Sequence, residues 1–495
     1  MALWREFIDG THTSRAPMID REATINLFRH TVIADADVKH QVLIGTPGRA
    51  TLFGAPDVGC RGLYQIENQM FGVNGGTFYS VNLMTGTPGA IGTVPNDGKP
   101  VSMVSNGRGG EQLAIVTAGQ LFIYGLTSGV LSGPTPLPLT GLPIQIDYLD
   151  GYFLLVESNS ARVWFSNLNN GLVWNALSFF VRSHTNDNVV GLKVWNDVIG
   201  VFGSQTSELY YDSGDPLTPF LPYSGTVIPH GAVSPWAIGN VDGVWIWLAQ
   251  SQIGTLRVVT ATAPPATVVS TPEMAFLWHT FPTLADTEIL VYQQEHHVFA
   301  AFTFPSADVT YVYDVTEQDW HQRGDWDTTT GVFHRWRARG SCLATLSTST
   351  VQGPRILVGD YQNSTISILD LDTFTDNGAM IRRVRQAAYL SSENQWLFLQ
   401  QVELGLQLGV GLPSGQGKTP TLYLEISRDA SETWGSPRPQ VGSLAQGQYQ
   451  GRARWLNCGR VRADALAMRI STTDPVRVGL GPGLWLRAVP GTGNL

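Results

Sequence analysis

Gly191-Leu192-Lys193-Val194-Trp195, the break Asn196-Asp197, Val198-Ile199-Gly200-Val201-Phe202 and then Ser207-Glu208-Leu209-Tyr210-Tyr211 form one compact unit of sequence. Each run is short, rich in β-branched and aromatic residues, and ends at Gly, Asn, Asp or Ser. That is the pattern of antiparallel strands joined by tight turns. The unit recurs at 62–66 with 69–73, 112–116 with 120–124, 145–149 with 152–156, 233–238 with 244–248, 288–292 with 298–302 and 342–346 with 355–360, which makes seven. Several copies carry a third run, such as 310–314 or 367–370. The spacing, mostly roughly 35 to 55 residues, spans the roughly 40–50 of propeller repeats. A small sheet cannot bury both faces alone, and radial stacking supplies the missing contacts. The expectation is an all-β chain with a seven-bladed β-propeller; a pair of β-sandwiches is the competing architecture.

Outside the repeats the character changes. Residues 1–39 contain Pro17 and one mixed run, Ala23-Thr24-Ile25-Asn26-Leu27-Phe28. They read as an arm with one strand, placed to pack on a neighbour or to close a ring of strands. The propeller is expected over 40–377 and a basic β-sandwich-like domain over 378–495. The stretches 382–390 and 463–468 come nearest to amphipathic helices, though both also suit strand or turn.

Composition narrows the function. Charged residues make up 14% of the 495 and hydrophobic residues 43%, which excludes disorder and coiled coil. No apolar run is long enough for a spanning helix, and the start lacks a signal-peptide pattern, so a soluble, unexported chain without membrane insertion is expected. Formal charge is −9, but residues 379–495 hold 13 Arg plus Lys against 7 Asp plus Glu, or +6, leaving −15 for the rest. Charge asymmetry of this kind speaks to neighbours rather than to fold. Cys60, Cys342 and Cys458 lack the spacing of metal sites and read as small apolar residues.

The motifs favour binding over catalysis. In Arg452-Ala453-Arg454 and Arg460-Val461-Arg462, arginines alternate with apolar residues, so on a strand they form a row on one face. With Arg382, Arg383 and Arg385 they are candidates for a partner or subunit interface, for contact with DNA phosphates, or for a plain solvated face. Ser427-Arg428-Asp429-Ala430-Ser431-Glu432-Thr433-Trp434 resembles the Asp-box turn of sialidases, with Ser431 where Gly is usual. Ser427, Asp429 and Trp434 are therefore read as a structural turn. Glu295-His296-His297 looks like a ligand pair, but strand neighbours face opposite ways, so one surface and one core-facing histidine are expected. Asp319, Asp325 and Asp327 read as a solvated turn. Gly417-Lys418-Thr419 lacks the first Gly of a phosphate loop and runs into Pro420. No catalytic residue, cofactor or metal site is assigned.

The order of the pieces resembles the tail-hub proteins of short-tailed phages, also called packaged DNA stabilisation or head-completion proteins. The matching stretches are Ile25-Asn26-Leu27-Phe28, Leu43-Ile44-Gly45-Thr46-Pro47-Gly48, Arg61-Gly62-Leu63-Tyr64, Trp195-Asn196-Asp197 with the following 201–211, then 427–434, Arg454-Trp455, Gly459-Arg460 and Arg462. The resemblance implies a non-enzymatic virion protein that retains packaged DNA and forms part of the ejection channel. It further implies a homo-hexamer below a portal-adaptor ring, bearing tail spikes or fibres and a needle or plug, with double-stranded DNA passing through. Its place would be the virion tail, and the host cytoplasm during assembly. The alternative is a carbohydrate-binding or carbohydrate-active propeller, suggested by 15 Trp and the Asp-box-like turn.

Overall fold

A computed structural model describes residues 2–4, 6–8, 10–11, 21–35, 38–182, 184–185, 187–347, 352–388, 395–441, 444–450 and 452–490. Almost all of its regular structure is strand. The repeats build seven antiparallel blades. In the first, Cys60–Ile66, Gln69–Asn74, Thr77–Asn82 and Pro88–Thr93 pair in chain order. The innermost strands of the seven are Cys60–Ile66, Ser102–Ser105, Pro143–Leu149, Val189–Trp195, Ile238–Val241, Glu288–Gln294 and Ala338–Ser347. Each touches the next, and the last touches the first, so the ring is closed. Two-residue turns such as Asp150-Gly151, Asp242-Gly243 and Glu295-His296 have positive φ at both positions, the hairpin geometry that matches strand twist.

Two blades depart from the expected pattern. The unit at 112–124 supplies the second and third strands of its blade, because the innermost strand, Ser102–Ser105, is too short and polar to stand out. In the fifth blade 233–238 is not one strand. Ser234 caps a 3-10 turn at Pro235–Ala237 by accepting from the Trp236 amide at 3.2 Å, and the inner strand follows it. A short helix, Pro272–Trp278, capped by Thr271, leads into the sixth blade and buries Met274 and Trp278.

Ring closure falls to Gly48–Gly54, which pairs antiparallel with Thr365–Asp370 as the outer strand of the seventh blade. The first and last parts of the propeller are thereby fastened in one sheet, leaving no blade to peel away alone.

The segment expected as an arm is part of the sandwich. Ala2–Trp4 pairs with Gly479–Pro490, Ala23–Ile25 pairs with Arg383–Ala388, and the hairpin of Leu27–Asp35 with Val38–Gly45 lies beside Gly479–Pro490. The cause is apolar burial: Trp4, Phe7, Ile8, Leu27 and Leu43 enter the same core as Leu404, Leu424, Trp455 and Met468. Each large side chain so buried contributes roughly 1.5–3 kcal/mol. One sandwich sheet holds the hairpin with Gly479–Pro490, Trp396–Leu406 and Ala453–Arg462; the other holds Ala23–Ile25, Arg383–Ala388, Ala467–Thr472, Thr421–Ser427 and Arg438–Val441. The two helix candidates are strand Arg383–Ala388, with 389–390 outside the described residues, and a 3-10 turn followed by Ala467–Thr472.

Ala23–Ile25 also joins the domains. Ile25 pairs in parallel with Gln322 of the sixth blade while its other edge pairs with Arg383–Ala388. Blade and sandwich sheet are thus one continuous hydrogen-bonded sheet.

Candidate interaction surfaces

The seven candidate arginines divide into two groups. Arg383 and Arg385 are buried and Arg382 is half-buried, which corrects the expectation that the three form a partner surface. Arg385 is 0% exposed; its guanidinium donates to the carbonyls of Phe7 and Gly10 and to Thr24 Oγ1, and it pairs with Glu22 at 3.2 Å. Arg383 is 1% exposed and lies against Gly45, where a Cβ would come within 2.6 Å of its Nε. Burial, with Arg323 nearby, pushes its pKa down to about 10. Arg382 stacks 4.0 Å over Trp326 of the sixth blade and reaches toward Glu425 of the sandwich at 3.9 Å. Arg382 and Arg385 fasten the chain to itself, their charges matched by carbonyls, carboxylates and ring faces, whereas Nε and Nη1 of Arg383 are buried without a hydrogen-bond partner.

Arg452, Arg454, Arg460 and Arg462 do lie along one sheet face. The Ala453–Arg462 strand buries Ala453, Trp455, Cys458 and Val461 in the core, so its alternate positions point out. Arg452 and Arg454 both pair with Glu403 on the neighbouring strand, the second at 3.2 Å. Arg462 pairs with Asp464 at 2.5 Å, and Arg460 stacks 4.1 Å over Trp396. Apolar side chains share the face: Trp396 is 38%, Phe398 43% and Leu456 54% exposed. Phe398 sits opposite Arg460 on one side and Val489 on the other. The sequence did not mark Trp396, Phe398 and Leu456, which join the arginines only through strand register. A face of arginines and aromatics is the composition of protein–protein contact sites.

The other motifs are structural. Asp429 accepts from the Ser427 hydroxyl at 2.7 Å, from the Thr433 amide at 2.9 Å and from the Thr433 hydroxyl, and these donors hold its pKa down at about 2. Trp434 lies under Arg469, 4.3 Å away. The 201–211 stretch builds an internal network: Arg182 pairs with Glu208 at 3.1 Å and with Asp187, and donates to Thr206 Oγ1 at 2.7 Å. Gly203 leaves room for it, since a Cβ there would fall 1.7 Å from Arg182 Nη1.

His296 is exposed in its turn and His297 is buried. Asp319 faces Arg29 at 3.4 Å, Asp325 faces Arg337, and Asp327 accepts from its own turn at Thr329 and Thr330. Gly417-Lys418-Thr419 leads into strand Thr421–Ser427 rather than a helix. Cys60 and Cys458 are buried and Cys342 half-buried; burial raises the two propeller thiols, Cys60 and Cys342, to about 12.

Where the blades converge there is a cavity of about 570 Å³ whose lining includes Asp97, Asp286, Glu288 and Arg339. Arg339 donates to both oxygens of Glu288, Asp97 pairs with Arg61, and Asp286 accepts from the Ser306 amide at 2.9 Å. Burial raises the Glu288 pKa against the pull of Arg339. Among the described residues no helix is long and apolar enough to cross a membrane.

Comparison with known proteins locates this architecture. Residues 10–374 match the family model described as bacteriophage P22 Gp10, beta-propeller, and residues 382–482 match bacteriophage P22 Gp10, beta-sandwich. No curated protein sequence matches. Among solved structures, a chain of the crystal structure of the mitotic checkpoint complex is 12% identical, with 66% of this chain and 92% of that one covered and a TM-score of 0.39. KlHsv2 with loop 6CD replaced by a Gly-Ser linker is 9% identical over 67% and 94%, with a TM-score of 0.34. The extracellular domain of the putative hybrid two component system BT4673 from B. thetaiotaomicron is 11% identical over 75% and 46%, with a TM-score of 0.41. Likeness at that level bears on neither fold nor function. With both domains matched in order over most of its length, the chain belongs to the family of bacteriophage P22 Gp10, the tail-hub and DNA-stabilisation family of short-tailed phages, and is a structural protein of the phage tail.

Proposed function

We propose that this chain is the tail hub that closes the portal vertex, retains packaged DNA and forms part of the ejection channel, acting as a ring of six copies and not as an enzyme. The observation that supports it most is the tandem family match lying on one mechanically continuous unit, a closed propeller whose sixth blade shares a sheet with the sandwich. Closed β modules withstand load without exposed edges. The face bearing Arg452, Arg454, Arg460, Arg462, Trp396 and Phe398 supplies the contact with a neighbouring copy or with the portal-adaptor ring. Tail spikes or fibres and a needle or plug bind elsewhere on the ring. The −15 charge of residues 1–378 suits a channel wall along which a duplex slides without sticking. Assembly takes place in the host cytoplasm.

A carbohydrate hydrolase needs two carboxyl groups flanking the scissile bond. In the central cavity, Glu288 and Asp97 are each tied to an arginine, which does not favour that alternative. The test is DNA retention: particles packaged without this chain are expected to lose their DNA, and supplying the purified chain to freshly packaged heads is expected to prevent the loss. Stable retention of DNA by particles lacking it would overturn the proposal.

A further inference from the structure

His30, His297 and Glu317 come from three separate parts of the chain, and their ligand atoms all lie within 4.8 Å of one another. His30 stands on the Leu27–Asp35 strand of the sandwich, His297 opens the His297–Phe304 strand of the sixth blade, and Glu317 lies in the turn before Asp319–Asp327. His30 and His297 line a cavity of about 520 Å³, so the cluster has an entry path. We propose that these three residues form a binding site for a borderline divalent transition metal, zinc by preference, which pins the sandwich to the propeller.

The donor set and its surroundings support this. His297 Nδ1 lies 2.6 Å from Asp314 Oδ2, and Asp314 is itself fixed by the amides of Thr316 and Glu317 at 2.9 and 3.3 Å. A carboxylate accepting from Nδ1–H leaves Nε2 unprotonated, the arrangement that orients metal-binding histidines; that lone pair accepts from His30 Nδ1, whose proton the metal would replace. That Nε2 faces His30 Nδ1 at 2.9 Å. Ligand atoms of a tetrahedral zinc lie roughly 3.3 Å apart at Zn–N lengths of about 2.0–2.1 Å, so the pair needs to open by only a few tenths of an ångström.

Glu317 is held in place rather than used up. The amide and hydroxyl of Thr31 donate to its two oxygens at 2.9 and 2.7 Å, and each oxygen retains a lone pair. Arg29 stands 3.9 Å from Glu317 Oε2 and donates to the Glu317 carbonyl at 3.1 Å, steadying the turn. Two neutral imidazoles, one ligating carboxylate and the Asp314 carboxylate behind His297 balance a divalent charge. Two histidines with a carboxylate, open on the cavity side, suit zinc or cobalt rather than calcium or magnesium.

The test uses the full-length chain, purified without a polyhistidine tag, stripped by chelator and titrated with cobalt(II). Visible ligand-field absorption saturating at one cobalt per chain is expected, with displacement by zinc and a rise of several degrees in the thermal midpoint. His30→Gln and Glu317→Gln are each expected to weaken cobalt binding at least roughly tenfold while leaving the midpoint in chelator within a few degrees. Absence of absorption at excess cobalt together with an unmoved midpoint would reduce the cluster to a hydrogen-bonded histidine pair and overturn the proposal. Binding unchanged in both variants would place the metal elsewhere and overturn it equally.

Discussion

Asn26 and Gly324 are joined by reciprocal hydrogen bonds: Asn26 Nδ2 donates to the Gly324 carbonyl at 2.8 Å, and the Gly324 amide donates to Asn26 Oδ1 at 3.0 Å. The same Nδ2 also donates to the Arg382 carbonyl at 2.8 Å. One buried side chain therefore holds the sixth blade and the start of the basic segment. Its φ of 56° suits Asn better than most residues. Asn26→Asp turns the donor toward two carbonyls into an acceptor, and a loss of about 3 kcal/mol is expected. Calorimetry is expected to show propeller and sandwich unfolding separately in the variant; an unchanged profile would show that the domains do not depend on this junction.

Ring closure rests on Gly48. Its amide donates to the Thr373 carbonyl at 2.8 Å, and a Cβ would lie 2.3 Å from that oxygen and 2.4 Å from the Thr375 carbonyl. Because both obstacles are backbone, Gly48→Ala is expected to cost about 3 kcal/mol. Hydrogen exchange along Gly48–Gly54 and Thr365–Asp370 should rise. Gly89→Ala, with nothing within 4 Å of the added carbon, is the control, expected to stay within about 0.5 kcal/mol.

His321 is expected to make the fold less stable in acid. Its ring lies among Phe28 and Phe299, and burial, with Arg323 and His297, lowers its pKa from 6.5 to about 3. The unfolded chain thus takes up this proton near pH 6.5 and the folded chain only near 3. Its contribution is complete above pH 6.5 and is lost as the pH falls toward 3, by about 1.4 kcal/mol per pH unit at most. Denaturant titrations from pH 7 to pH 4 should show a shallower decline in His321→Asn. An identical slope would mean that the histidine is not held neutral.

Ser431 has a φ of 74° and a buried hydroxyl without a hydrogen-bond partner. The left-handed conformation costs an L-residue roughly 1–2 kcal/mol, partly offset in glycine by backbone entropy. Ser431→Gly is expected to raise stability by up to about 1 kcal/mol, read as a small increase in thermal midpoint. A decrease would show that the serine contributes something the turn geometry does not reveal.

The exposed sandwich face separates folding from assembly. Phe398→Ala combined with Arg460→Glu removes an apolar contact and reverses a charge without entering the core, so the midpoint is expected to stay within a few degrees. Incorporation into particles, measured by gel analysis of purified virions, is expected to fall sharply. Normal incorporation would assign assembly to another face.

Much of this was legible in local pattern. The blades announce themselves because each is a run of period-two strands with its own turn signals, and the Asp429 turn is complete within eight residues. The arm was not legible: Trp4, Phe7 and Leu27 find their partners only when the chain returns at Leu404, Leu424 and Leu484. Arg383 and Arg385 alternate as an exposed row would, and the sequence cannot distinguish that from a strand buried on both faces, as Arg383–Ala388 is. For the outer face, spacing alone placed the arginines, whereas Phe398 and Trp396 joined them through register. His30 and His297, 267 positions apart, carry no shared motif. The short elements Ile25-Asn26 and Pro47-Gly48 marked the domain junction and ring closure, though their roles emerged only from the partners at Gly324 and Thr373.

The most direct measurement is cryo-electron microscopy of intact virions with this chain traced in the tail. Six copies are expected in a ring below the portal-adaptor, with the Arg460 face against a neighbouring copy or the adaptor and duplex density along the axis. Absence of the chain from the tail, or its presence as isolated copies away from the channel, would contradict the hub assignment.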